Sequence, residues 1–297
     1  DDLAIGGDNG LFDFPFTSLS GRKEKSREYK REKKKKTDVK NTVGRDNLRR
    51  FFRNRAAVVG LILLGVIVFG AIFVSVLSPY SYDEMDLKNR AILFSSEHWL
   101  GTDQYGRDML TRLLYGARVS LFVGFLSVAL GCAVGGFLGA ISAYYGGRTD
   151  NLIMRFLDIW PSIPGTLLAI ALAAAMGNGI KNAIIAIGLT TIPQYARVVR
   201  ASVMTVKNQE YIEAARCIGN NTPRILLVHT IPNALAPIIV QASLGVANAI
   251  ITTASLSFLG LGVQPPTPEW GSMLSTGRDF LRDAPHVCIF PGLAIMA

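Results

Sequence analysis

The stretch from Ala56 to Leu77 holds no charged residue, and this constrains the chain more than any other feature. As an α-helix rising 1.5 Å per residue, a run of that length crosses the ~30 Å hydrocarbon layer of a bilayer, where backbone N–H and C=O groups must pair within the segment. Further apolar segments follow at Ser120 to Ala143, Pro161 to Met176, Asn182 to about Ala196, and Leu235 to Ala254. Another begins near Val287 and is still running at Ala297. The pattern predicts an all-α polytopic membrane protein with six transmembrane helices expected, the last one cut short. Composition agrees, with 49% hydrophobic and only 18% charged residues.

The chain carries 31 Lys and Arg against 22 Asp and Glu. Many of the basic residues precede Ala56, in a run that includes Lys33-Lys34-Lys35-Lys36, with no interleaved aromatic platform and no recognised base-reading module. That distribution argues against a nucleic-acid partner and fits the positive-inside bias of membrane proteins. With a cytoplasmic N-terminus, alternating spans put Arg148, Arg155, Arg197, Arg200, Lys207, Arg216 and Arg224 on the side of the basic tail. Three regions follow: a basic cytoplasmic tail over 1–55 that either lies against anionic membrane lipid or serves a regulatory or partner-binding role, a first transmembrane helix and external loop over 56–118, and a transmembrane core over 119–297.

Between the fourth and fifth apolar segments lies a charged, Gly-punctuated stretch, about 204–232. Lys207 to Cys217, with Glu210, Glu213, Ala214, Ala215 and Arg216, is rich in helix formers. Gly219 stands where a helix ends by turning left-handed, a conformation that costs Gly no Cβ clash. Asn221, Thr222 and Pro223 suit the cap and first turn of a second short helix, and Pro232 is expected to close it. The residues read as a cytoplasmic helical hairpin that needs a partner, or as a solvated loop with incidental helicity.

Elsewhere, Asp108 is placed to cap a helix carrying Met109, Leu110, Leu113 and Leu114 into the second span. Asp103, Arg107 and Asp108 are placed to pin the external loop through hydrogen bonds and ion pairs. Gly131, Gly135 and Gly139 form a stripe that lets another helix approach closely. Thr190, Gln194, Gln241, Asn248 and Thr252 are polar positions in apolar segments; they line a wet pathway or bond between helices. Arg155 is expected to pair with Asp158, three residues on. After Pro265, Pro266 and Pro268, Trp270 is expected at the membrane interface.

The absent motifs also matter. There is no Gly-Lys pair, hence no phosphate loop, and no Gly-x-Gly-x-x-Gly fingerprint. His98, His229 and His286 are widely separated, and Cys132, Cys217 and Cys288 lack disulfide or zinc spacing, so neither a catalytic group nor a metal site is expected. A secondary transporter would show coupling acids, broken helices or repeats within its spans.

Glu213-Ala214-Ala215, Gly219 and Ile231-Pro232 together resemble the EAA loop of bacterial and archaeal ABC importer permeases. His98-Trp99-Leu100-Gly101-Thr102-Asp103-Gln104-Tyr105-Gly106-Arg107-Asp108 and Ala254 to Pro266 are similar to segments of the C-type permease of dipeptide, oligopeptide and nickel transporters. The likeness runs from about Asn47 to the last residue, with His229 standing where the general pattern favours Ile. The resemblance implies a type I ABC importer transmembrane fold in the cytoplasmic membrane of a prokaryote. It also implies that Glu210, Glu213, Ala214, Ala215, Arg216, Gly219, Pro223, Ile231 and Pro232 dock on a cytoplasmic ATPase. The implied partners are a second homologous permease subunit, two ATPase subunits holding ATP and Mg, and an extracellular solute-binding protein. Asp103, Arg107 and Asp108 would then lie at the external gate. The implied cargo is a di- or oligopeptide, with nickel as the alternative.

Overall fold

The computed structural model describes residues 51–297. The basic run through Lys33-Lys34-Lys35-Lys36, and with it nearly all of the expected 1–55 tail, lies outside the described residues. The chain divides into one unit ending at Ile62 and a second from Leu63 to Ala297. In the first, Asn54 caps helix α1 (Arg55–Leu77), its Oδ1 accepting from the backbone N–H of Ala56 at 3.1 Å and Ala57 at 3.4 Å.

In the second unit, α1 buries Gly70, Ala71 and Val74 and turns Val66, Phe69, Ile72 and Val76 outward. An apolar outer face of that kind is what lipid tails tolerate. Asp108 caps α2 (Met109–Tyr145), accepting from the backbone N–H of Thr111 at 2.7 Å. The expected short helix and second span are thus one continuous helix. Gly146 and Gly147, with φ of +65° and +52°, turn the chain into α3 (Gly147–Leu157). A 3-10 turn at Trp160–Ser162 follows, and α4 (Gly165–Met176) leaves at 86° to the preceding helical stretch. Helix α5 (Ile180–Lys207) follows, and short α6 (Glu210–Cys217) comes next. From Thr222 the path stays helical to Phe258, through a π-helical stretch at Ile225–Thr230 and a 3-10 turn at Ile231–Ala234, into α7 (Leu235–Phe258). Then come α8 (Trp270–Gly277) and α9 (His286–Met296).

The core forms where α2 lies along α5, the most extensive helix pair, with α7 packed against both. The glycine stripe faces α5. A Cβ on Gly135 would strike the Ile192 carbonyl and come within 3.0 Å of Tyr195 Cβ, and one on Gly139 would strike the backbone of Ala196. Only hydrogen at those Cα atoms permits this backbone separation. Tyr195, Ile187, Val128, Ala249 and Leu256 fill the space beside it.

Among the described residues, three stretches are long and apolar enough to cross a membrane by length and composition, Arg55–Leu77, Met109–Tyr145 and Thr222–Phe258, or four if the bent pair Gly147–Ser162 and Gly165–Met176 counts as one span. The other expected spans differ for identifiable reasons. Helix α4, at 12 residues, reaches only ~18 Å by its rise. Helix α5 continues well beyond Ala196 because Arg197 and Arg200 find carboxylates on neighbouring segments.

Two local expectations are corrected. Arg197, not Arg155, pairs with Asp158, at 2.7 Å; packing of α5 beside the α3–α4 corner supplies a better-placed guanidinium than the one on the same helix. Trp270 is buried against α2 rather than turned toward lipid headgroups, and its indole N–H donates to the Leu113 carbonyl at 2.9 Å. The cap of α8 explains this: buried Glu269 accepts from the N–H groups of Gly271 at 3.0 Å and Ser272 at 2.8 Å, fixing the helix against α2.

Candidate functional site

The hairpin after α5 is built by its turns. Lys207 ends α5 rather than starting the hairpin, since the chain breaks at Asn208 and Gln209 and α6 begins at Glu210. Helix α6 places Glu210 and Glu213 in its first turn and Arg216 in its last, signs that complement the helix dipole. It buries Ile212 and Ala215 and turns its charged face outward. Gly219, at φ +83°, closes it with a Schellman motif: the Gly219 N–H donates to Arg216 at 3.0 Å and the Asn220 N–H to Ala215 at 3.2 Å.

Pro223 occupies the first turn of the next helical segment, as its missing N–H permits. Ile231 and Pro232 do not close the hairpin, however. The chain runs through them into α7, because the wider π-helical turn before Pro232 and the tighter 3-10 turn around it absorb the absent donor. The hairpin is therefore continuous with a membrane-crossing rod.

Side chains at the end of α2 tie this hairpin to the core. Lys207 Nζ donates to the carbonyls of Ala143 at 3.0 Å and Tyr144 at 2.6 Å, satisfying acceptors left at the α2 C-terminus. The Tyr144 ring has Lys207 Nζ at 5.8 Å and the Arg216 guanidinium at 6.0 Å from its centroid, and its hydroxyl lies 3.3 Å from that of Thr222. Asp150 on α3 bonds the Ser142 hydroxyl at 2.5 Å and both Arg200 donors at 2.6 Å. The hydrogen-bonded guanidinium holds the Asp150 carboxyl down at about 2, against the opposing effect of partial burial. Sequence reading missed Tyr144 and Asp150 as parts of this junction, since neither lies within the hairpin motif.

At the opposite end, Asp103, Arg107 and Asp108 come together and are nearly inaccessible, at 2%, 3% and 5% exposure. Asp103 accepts from Arg107 Nε at 2.7 Å and from the backbone N–H groups of Tyr105 and Arg107. Asp108 joins His98 Nδ1 at 3.0 Å, and His286 Nε2 lies 3.0 Å from the Thr102 carbonyl. This knot pins the loop between α1 and α2.

The polar positions of the spans separate into groups. Thr190, Gln194 and Gln241 line one cavity of about 520 Å³ between α5, α7 and the approach to α4, together with Trp160, Pro193 and Arg197. Asn248 and Thr252 sit farther along α7 outside that lining; the Thr252 hydroxyl is satisfied by the Asn248 carbonyl at 2.8 Å.

Long apolar helices around a glycine-packed core, with a charged hairpin at one end, describe a polytopic helical membrane protein. The chain belongs to the family of binding-protein-dependent transport system inner membrane components, whose model matches residues 135–297. The N-terminal TM domain of oligopeptide transport permease C matches residues 42–95. The dipeptide transport system permease protein DppC of Alkalihalophilus pseudofirmus is 46% identical over 252 residues, covering 85% of this chain and 83% of that protein. The glutathione transport system permease protein GsiD of Pectobacterium atrosepticum is 44% identical over 257 residues, 86% of this chain and 85% of its own. The di/tripeptide transport system permease protein DppC of Pseudomonas aeruginosa is 43% identical over 255 residues, covering 83% of each. Among solved structures, an inward-facing MetNI methionine ABC transporter aligns with a TM-score of 0.53 at 18% identity, covering 63% of this chain and 90% of its own, which shows the fold. The chain is accordingly an ABC importer permease subunit, a multi-pass protein of the inner membrane.

Proposed function

We propose that this subunit forms half of the path by which di- or oligopeptides enter the cell, coupled through its hairpin to ATP hydrolysed on separate subunits. The observation that carries the cargo assignment is the agreement of the relatives' names, which specify dipeptides, di- and tripeptides and glutathione. All of these are short peptides.

The coupling assignment rests on geometry. Glu210, Glu213 and Arg216 stand on an exposed helix face whose termination by Gly219 gives the hairpin a defined shape. In this reading the hairpin and the N-terminus are cytoplasmic. Glu213 meets basic or polar groups of an ATPase and exposed Ala214 lets α6 lie close to it, whereas Ala215 is buried within this chain and packs the helix inward. The subunit works beside a second homologous permease, two ATPases that hold ATP and Mg, and an external solute-binding protein that delivers cargo. Asp103, Arg107 and Asp108 then shape the external loop rather than present charges to that protein.

The decisive measurement is ATP-dependent uptake of a labelled dipeptide and of nickel by the complete transporter in proteoliposomes. Dipeptide uptake that requires ATP and the binding protein is expected; nickel uptake alone sinks the peptide reading. Glu213→Lys is expected to reduce the amount of ATPase that co-purifies with the subunit, and undiminished recovery argues against the docking role.

A further inference from the structure

The cavity between α5, α7 and the approach to α4 has the volume and chemistry of a small-molecule site. Its ~520 Å³ lies within the 300–1,000 Å³ range of ligand pockets and accommodates a peptide of two or three residues. Gln194 and Gln241 line it from two different helices. A carboxamide carries donors and an acceptor, and so does a peptide bond, so the pair recognises backbone without reading side chains. Trp160 supplies a flat apolar wall, and Ile163 and Leu168 add aliphatic surface. Pro193, also in the lining, has no N–H to give the Leu189 carbonyl, and interrupted backbone inside a membrane belongs where a wet cavity can serve it.

Arg197 completes the set. One of its terminal nitrogens meets Asp158 Oδ1 at 2.7 Å, while 49% of the Arg197 side chain and 59% of the Asp158 side chain remain exposed. A single contact leaves other donors of the guanidinium fork available, and exposure of both partners makes the pair cheap to exchange. Every linear peptide, whatever its sequence, ends in a carboxylate that matches this fork.

We propose that this cavity is a cargo-binding site on the permease itself, in which Arg197 exchanges its contact with Asp158 for the C-terminal carboxylate of a short peptide. The inference rests on the peptide reading above. Asp158 acts as an internal competitor that occupies Arg197 when cargo is absent and draws it back when cargo leaves. Selection would then begin on the binding protein and be repeated here, on the feature common to all linear peptides.

The test compares wild type, Arg197→Gln and Asp158→Asn in the complete reconstituted transporter, reading KM for ATP-driven uptake of dialanine. Arg197→Gln is expected to raise KM by about fivefold or more through loss of a charge-assisted contact, whereas Asp158→Asn leaves KM unchanged or lower. A purely structural ion pair would make the two variants alike. Shifts in the same direction, or no shift in Arg197→Gln, overturn the proposal. Should Arg197→Gln fail to assemble, thiol labelling of Gln194→Cys in an otherwise cysteine-free complex gives the second reading. Trialanine is expected to slow labelling at least about threefold more than trialanine amide, as the carboxylate contact requires. Equal protection by the two, or none, also overturns the proposal. Absence of any dialanine uptake by wild type instead defeats the peptide reading itself.

Discussion

Arg200 grips Asp150 through two hydrogen bonds of 2.6 Å, one from Nε and one from a terminal nitrogen, and so joins α5 to α3 beside the root of the hairpin. Asp150 has an ordinary carboxyl pKa of 3.8 when free and about 2 when held by Arg200. A carboxyl depressed by folding contributes stability that is fully present above its free pKa and is lost as pH falls through its folded value. Asp150→Asn is therefore expected to lower the thermal midpoint of the detergent-solubilised protein at pH 7 by an amount equivalent to about 1 kcal/mol, after allowance for solvent screening of a partly exposed pair. The gap between wild type and variant should close between pH 4 and pH 2. A gap independent of pH would show that the pair does not act through its charge.

Gly219 has open space around its α-carbon, with no atom within 4 Å of the point a Cβ would occupy, yet its φ is +83°. Substitution there is opposed by backbone conformation rather than by crowding. Gly219→Val should cost about 1–2 kcal/mol locally and misdirect the hairpin, with ATP hydrolysis uncoupled from uptake while the subunit stays in the membrane. Gly219→Asn, which tolerates the left-handed region, should retain most uptake. Full coupling in the Val variant would refute the turn's mechanical role.

Neighbouring glycines on α2 predict opposite outcomes. A Cβ on Gly135 meets the backbone of α5, so Gly135→Leu should destabilise the α2–α5 pair by about 1–3 kcal/mol or prevent assembly. The nearest atom to a Cβ on Gly136 is Val199 Cγ2 at 3.7 Å, so Gly136→Ala should be neutral or gain up to about 1 kcal/mol from helix propensity. Thermal unfolding in detergent distinguishes them, and similar midpoints would contradict the packing.

Glu269 is fully buried and caps α8 through two backbone N–H groups. Glu269→Ala leaves both donors unsatisfied and should cost about 2–3 kcal/mol. Glu269→Gln, which retains an acceptor oxygen, should recover part of that loss. Hydrogen exchange at Gly271 and Ser272 reads the effect directly, and unchanged protection in the Ala variant would show that the cap is dispensable.

Much of the architecture is legible locally. The charge-free run at Ala56 to Leu77, the cap at Asp108, the left-handed stop at Gly219 and the close-packing stripe Gly131, Gly135 and Gly139 each depend on the identity of a few adjacent or helically spaced residues. The failures were of another kind. Pro232 looks like a terminator, yet π-helical and 3-10 turns around it carry the helix onward. Trp270 looks interfacial until its indole reaches Leu113, far away in sequence.

Hydropathy and turn chemistry, which act over a few residues, determined by sequence alone that this protein is a helical membrane protein with a Gly-terminated hairpin. Only the tertiary structure decided which distant groups meet: Arg197 with Asp158, Tyr144 with Thr222, and Gln194 with Gln241 around one cavity. Those pairings depend on how α5 seats in the glycine groove of α2, and the depth and rotation of that contact are properties of two packed surfaces rather than of either helix.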